Sequence, residues 1–144
     1  MGLFGKLLGS QPQKKASDDV LLLHSMMLMA CADGVLEGAE AATLEAFVNT
    51  LPEFKGANFD EQFAQAKKLA GKFKELKDSV RALGDIQSES VRKKAFVLAA
   101  DIALSSGDID EGEEELLEAM QRVLGIDDAL AQKVVEVLSL KYMR

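Results

Sequence analysis

The sequence predicts an all-α fold, a compact helical bundle of about seven helices, on three observations. The body of the chain is rich in Ala, Leu, Glu, Lys and Met, all good helix formers. Its apolar residues recur three and four positions apart, and Val and Ile never alternate with polar residues over the length of a strand. Capping residues and glycines punctuate it at helical intervals. At 144 residues, 48% hydrophobic and 28% charged, the chain has the balance of one ordinary globular domain. A chain of this size buries about two thirds of its extended surface on folding, enough for a core without disulfide or metal staples.

Composition divides the chain into a head with a flexible connector, residues 1–16, and a single helical domain, residues 17–144. In the head, Leu3, Phe4, Leu7 and Leu8 fall at helical spacing around Lys6, and Gly9 to Lys15 reads as the link. One and a half apolar turns would pack back on the body, meet a partner or touch a membrane surface weakly. Lys6 stands where a myristoylation signal needs Ser or Thr.

Ser17 and Asp18 open the first helix of the body, which runs to about Ala32 and is apolar nearly all round, hence central and buried. A second helix spans about Glu37 to Asn49, with Ala41, Leu44, Phe47 and Val48 on one face, and Leu51-Pro52 stops it. Asn58 and Glu61 make a capping-box variant that starts a third, through Phe63, Ala66 and Leu69 to about Gly71. Phe73, Leu76, Val80 and Leu83 continue its apolar stripe, so Gly71 is either a kink or a break. Ser88 begins the next helix, from Val91 to about Ser105, burying Ala95, Phe96, Leu98, Ala99 and Ile102, with Gly107 available for a left-handed cap. Asp110 and Glu113 form another capping-box variant ahead of Leu116, Leu117, Met120 and Val123, and Gly125 closes that helix. Asp127 caps the last, whose apolar positions are Leu130, Val134, Val135, Leu138 and Leu140.

Several function classes are disfavoured. A net charge of −7 offers nothing to the counterion release that drives nucleic-acid binding, so no nucleic-acid partner is expected. A single cysteine, Cys31, forms no internal disulfide and fits a reducing cytoplasm. The longest apolar run, Val20 to Cys31, is too short to span a bilayer, and Met1 to Ser10 makes no secretory signal, so a cytoplasmic protein with at most peripheral membrane contact is expected. His24, the one histidine, lies in an apolar helix and reads as a core residue, as do Met26, Met27 and Met29. No nucleophilic triad or phosphate loop can be assembled, and the expectation is a non-enzyme.

A shift of 73 residues lays Ala30 to Glu40 over Ala103 to Glu113 without a gap. Identical pairs include Gly34/Gly107, Glu40/Glu113, Leu44/Leu117 and Leu51/Leu124. Both halves read apolar helix, glycine turn, apolar residue, acidic helix start, which predicts two pseudo-symmetric helical hairpin repeats joined by the middle helices. In the second turn six carboxylates fall within the eight residues from Asp108 to Glu115. Favourable interaction with a helix N-terminus accounts for three or four of them. It does not require Asp108, nor the recurrence of Asp33, Glu37 and Glu40 in the first turn. The candidate metal ligands are therefore Asp33, Glu37, Glu40, Asp108, Asp110 and Glu113, an oxygen-only set suited to a divalent cation such as Ca²⁺ or Mg²⁺ rather than Zn²⁺. The set is not an EF-hand, since Glu113 and Ala119 stand where its glycine and bidentate glutamate belong. The competing reading of the same residues is a solvated acidic corner.

The paired turns, Ala32 to Glu40 and Ser106 to Glu113, resemble the two characteristic segments of the TerB family of bacterial tellurite-resistance proteins, and Val123 to Asp127 and the head with Phe4 and Lys6 look similar too. The resemblance implies an all-helical, two-repeat cytoplasmic non-enzyme of a stress-response module. It implies partnership with a TerC-like membrane protein and calcium-binding TerD-like proteins. It also implies metal ligation at Asp33, Glu40 and Glu113, with Asp110 at a commonly acidic place. Ser106 stands where the family usually shows Asp, and Asp108 is the carboxylate that would replace it. The alternative is an acidic helical interaction module that binds no ion. A third option, thiol reduction of tellurite by Cys31, requires that Cys31→Ala abolish reduction by the purified protein.

Overall fold

The computed structural model describes residues 16–32, 40–49, 51–55, 58–105 and 109–143, with only the backbone at 31, 32 and 40–43. The head and most of both acidic turns lie outside these residues. Those described form seven α-helices and no strand: α1 (Asp18–Ala32), α2 (Glu40–Val48), α3 (Phe59–Ala70), α4 (Leu76–Arg81), α5 (Glu89–Leu104), α6 (Glu111–Leu124) and α7 (Asp128–Lys141). Short 3-10 turns at Pro52–Phe54 and Ala82–Asp85 join them. No helix among the described residues is long and apolar enough to cross a membrane.

The helix α1 is the axis of the core, with every residue from Val20 to Met29 buried. An element that is apolar all round must be enclosed, and α3, α5 and α6 do so. Its most extensive partner is α5, whose Ala95, Ala99, Ala100 and Ala103 present little side chain and let the backbones approach. The two helices start together: Asp18 Oδ1 and Oδ2 accept from the backbone N–H groups of Gln87 and Ser88, each at 2.9 Å. With their N-terminal ends adjoining and their sides in contact, α1 and α5 run in the same direction. One carboxylate thus serves two helix N-termini, offsetting the repulsion of two parallel macrodipoles.

The caps follow local chemistry. Ser17 Oγ accepts from Val20 N, Asn58 Oδ1 from Glu61 N, Ser88 Oγ from Val91 N and Asp127 Oδ1 from Leu130 N. Gly125 ends α6 at φ 71°, and the N–H groups of Gly125 and Ile126 donate to Arg122 O and Gln121 O, the paired bonds of a left-handed helix stop. Arg92 of α5 gathers the carbonyls of Ile86 at 2.8 Å, Gly84 at 2.6 Å and Leu124 at 3.5 Å. It therefore pins the end of α6 beside the start of α5.

The structure settles one alternative and corrects two positions. Gly71 breaks the stripe rather than kinking it: it ends α3, and residues 71–75 are irregular before α4. As a result Leu76, read as apolar face, is 57% exposed, whereas Val80 and Leu83 remain buried. Leu140, read as an apolar position of the last helix, is 66% exposed because α7 lies at the edge of the bundle and only Ala131 and Leu138 reach full burial. The helix expected from Glu37 is described from Glu40, and the Gly107 cap lies outside the described residues.

Candidate functional site

Parallel packing of α1 and α5 decides where the two turns leave the body. Each turn follows the C-terminal end of one of these helices, at Ala32 and at Leu104, so both leave from the same end of the helix pair. Of the six candidate ligands, Asp33, Glu37 and Asp108 lie outside the described residues. Glu40 opens α2, with its side chain likewise outside them.

Asp110 and Glu113 are described, and they form a complete capping box. Asp110 Oδ1 accepts from Glu113 N at 2.7 Å, and Glu113 Oε1 accepts from Asp110 N at 3.1 Å. Glu113 is 3% exposed, so its carboxylate is held inward against the start of α6. Glu111, Glu114, Glu115 and Glu118 are exposed along the same helix. Among the described residues no three His, Cys, Asp or Glu side chains converge as a metal set.

His24 is fully buried, and Met26, Met27 and Met29 are core residues, as expected. The Ser79 carbonyl, 2.9 Å from His24 Nε2, can only accept, so Nε2 carries the proton and Nδ1 is left buried without a partner. Burial lowers the imidazole pKa from its ordinary value, against a smaller upward pull from the Ser79 bond. A neutral imidazole packed 6.1 Å from the Phe73 ring is core material. The side chain of Cys31 lies outside the described residues.

The structure adds a feature that the sequence reading missed. Between α6 and α7, over Phe96 and Leu104 of α5, runs a groove of about 390 Å³ with Leu117, Ala131 and Val135 in its walls. Glu114, Glu118, Asp128 and Glu136 stand around it. The available signal was the i, i+4 spacing of Glu114 with Glu118 beside the acidic turn, but the contribution of α7 depends on how the two helices meet.

An all-α bundle with its two acidic turns leaving one end is the setting in which the family comparison is informative. The model of the family described as Tellurite resistance protein TerB matches residues 16–135. The chain belongs to the TerB family. The match takes in α1 to α6 and about half of α7, and so includes both acidic turns and the groove apart from Glu136. No curated protein and no solved structure matches the chain. In this TerB protein, then, Asp110 and Glu113 have a demonstrable duty as helix caps, and any ion-binding duty falls on oxygens beyond those two hydrogen bonds.

Proposed function

We propose that this TerB protein is a non-enzymatic, cytoplasmic stress-response component whose duplicated acidic turns bind a divalent cation, Ca²⁺ or Mg²⁺ in preference to Zn²⁺, and which works with a TerC-like membrane protein and TerD-like proteins. The observation that carries the reading is the common direction of α1 and α5, which sends both carboxylate-rich turns out at one end of the bundle. Support for a duplication comes from the helix positions: shifted by 73 residues, α1 and α2 fall on α5 and α6. Asp33, Glu37, Glu40 and Asp108 are the residues assigned to the ion, with Asp110 and Glu113 holding the second turn in shape.

The test is calorimetric. An ion that binds only the folded chain raises stability by about 2.7 kcal/mol when its concentration exceeds Kd a hundredfold. Scans with Ca²⁺, Mg²⁺, Mn²⁺ and Zn²⁺ are expected to show that shift for a hard cation, and Asp33→Asn with Asp108→Asn is expected to remove it while the metal-free transition stays in place. The second reading, an acidic module docking a basic partner without an ion, draws on the four carboxylates around the groove. It is favoured if no cation moves the transition.

A further inference from the structure

The helices α6 and α7 are joined by residues 125–127 alone, yet each packs on α5 far more than on the other. The gap between them is the groove of about 390 Å³, with Phe96 and Leu104 of α5 beneath it. Leu117 lines it from α6, and Ala131 and Val135 line it from α7. Four carboxylates stand around this apolar surface, Glu114 and Glu118 on α6 and Asp128 and Glu136 on α7. Among the described residues no lysine or arginine lines it: Arg122 and Lys133 lie elsewhere on the two helices, and Lys141 is bonded to Asp101. Asp128 accepts from Gln121 Nε2 at 2.8 Å, which ties the two walls together. Glu114, Glu118 and Glu136 are exposed and make no ion pair among the described residues.

We infer that this groove is the docking site for a basic amphipathic helix of a partner protein, which lays its apolar stripe between α6 and α7 and sets its lysines or arginines against the acidic rim. The inference rests on the second reading above, in which the chain docks a basic partner, and adds where that partner sits and in what form. An apolar floor inside a single-sign rim complements such a helix in shape and in charge. The acids are spread along the groove rather than gathered at one point. Glu114 and Glu118 are four residues apart and Asp128 and Glu136 eight, about 6 and 12 Å of helix. A metal ion or a small ammonium compound reaches one of these positions, whereas a helix with cations repeated along its length reaches several. An extended peptide would lay unpaired backbone N–H and C=O groups on Phe96, Leu117 and Val135, while a helix satisfies its own. Polyanions and anionic lipid surfaces are repelled by the same rim.

Fluorescence anisotropy of a labelled Leu/Lys amphipathic helix, titrated with the full chain in the presence of a chelator, tests it. Two further peptides serve as controls: one of the same composition, scrambled so that no apolar stripe forms, and one with Glu in place of every Lys. Only the first peptide is expected to bind, and its binding is expected to weaken as salt rises. Glu114→Gln, Glu118→Gln and Glu136→Gln together are expected to weaken it about tenfold. The same change of charge at Glu61, Glu75 and Glu89, exposed acids that do not line the groove, is expected to leave it nearly unchanged. Val135→Gln, in the apolar wall, is expected to cost about tenfold. The substituted acids are all exposed, so the thermal transition serves as the control for folding. Equal binding of the scrambled peptide, equal loss in the two triple variants, or no binding at all would overturn the inference. Self-association of the chain that Val135→Gln abolishes would give the groove to a second copy and overturn it as well. Binding through acids elsewhere on the surface would leave the second reading standing, and the calorimetric scans decide that reading separately.

Discussion

The two parallel helices at the centre of the bundle, α1 and α5, are buried by different means. Ten consecutive residues of α1 are enclosed, most of them Leu and Met, and the two polar side chains among them each donate to a backbone carbonyl: Ser25 Oγ to Leu22 O at 2.6 Å and His24 Nε2 to Ser79 O. The packing face of α5 is built of alanines, and it carries an acid, Asp101, into a nearly closed position. Lys141 at the end of α7 meets both oxygens of Asp101, at 3.2 and 3.0 Å, and the Tyr142 hydroxyl donates to Oδ1. The hydrogen bond to the Asp101 carboxylate, with a smaller contribution from the Tyr142 hydroxyl, holds the Lys141 ammonium pKa above its ordinary value despite some desolvation. Burial of α1 is thus intrinsic to its composition, while that of Asp101 on α5 depends on residues about forty positions away.

Truncating α1 is the largest expected perturbation. Leu22→Ala or Met26→Ala removes a fully buried side chain and is expected to cost about 3–5 kcal/mol in denaturant titrations, whereas Ala99→Gly on α5 is expected to cost about 1 kcal/mol. If the two helices prove equally sensitive, the contrast fails.

Next comes the contact at Asp101. Lys141→Ala combined with Tyr142→Phe leaves Asp101 buried and unpaired, at an expected cost of about 2–3 kcal/mol. Asp101→Asn, which leaves a half-exposed Lys141 to water, is expected to cost less. The reverse ranking would mean that the pair, rather than the buried acid, is what matters.

The pH dependence divides α1 itself, with two groups of opposite sign. Because the folded pKa of His24 lies below its unfolded value, the unfolded chain binds the proton more tightly. Stability from this residue is complete above about pH 6.5 and is lost as pH falls from there toward the folded value. Asp19, at the start of α1, acts the other way: burial, then Glu53 and Asp18, raise its carboxyl against the pull of Lys94, so it favours the folded state at acid pH. Melting temperatures from about pH 7.5 to about pH 5 are expected to fall, and His24→Leu is expected to flatten the curve while lowering its top. The smallest effect is at the second turn, where Asp110→Ala is expected to cost about 1 kcal/mol, as a lost cap does.

Much of this could be read in advance, and the reason lies in range. Asp110 with Glu113, Asn58, Ser88, Asp127 and Gly125 act through bonds that close within a few residues, so their spacing carries the whole of the information. The enclosure of α1 was equally legible, because a helix without a polar face has only one place to go. The candidate site was legible as a list of carboxylates but not as an arrangement. Asp110 and Glu113 were identifiable as caps, yet the common direction of the helices that carry the two turns depends on Asp18 meeting the amides of residues 87 and 88.

By itself, then, the sequence determined most of the helix ends and the buried axis, which rest on short-range periodicity and capping, and its paired turn segments carried the likeness to the TerB family. Tertiary structure alone decided that Gly71 separates two helices, that Leu76 and Leu140 face water, and that Asp101 finds a cation and a phenol. These depend on which distant surface arrives against a given side chain, and a helical period cannot specify that.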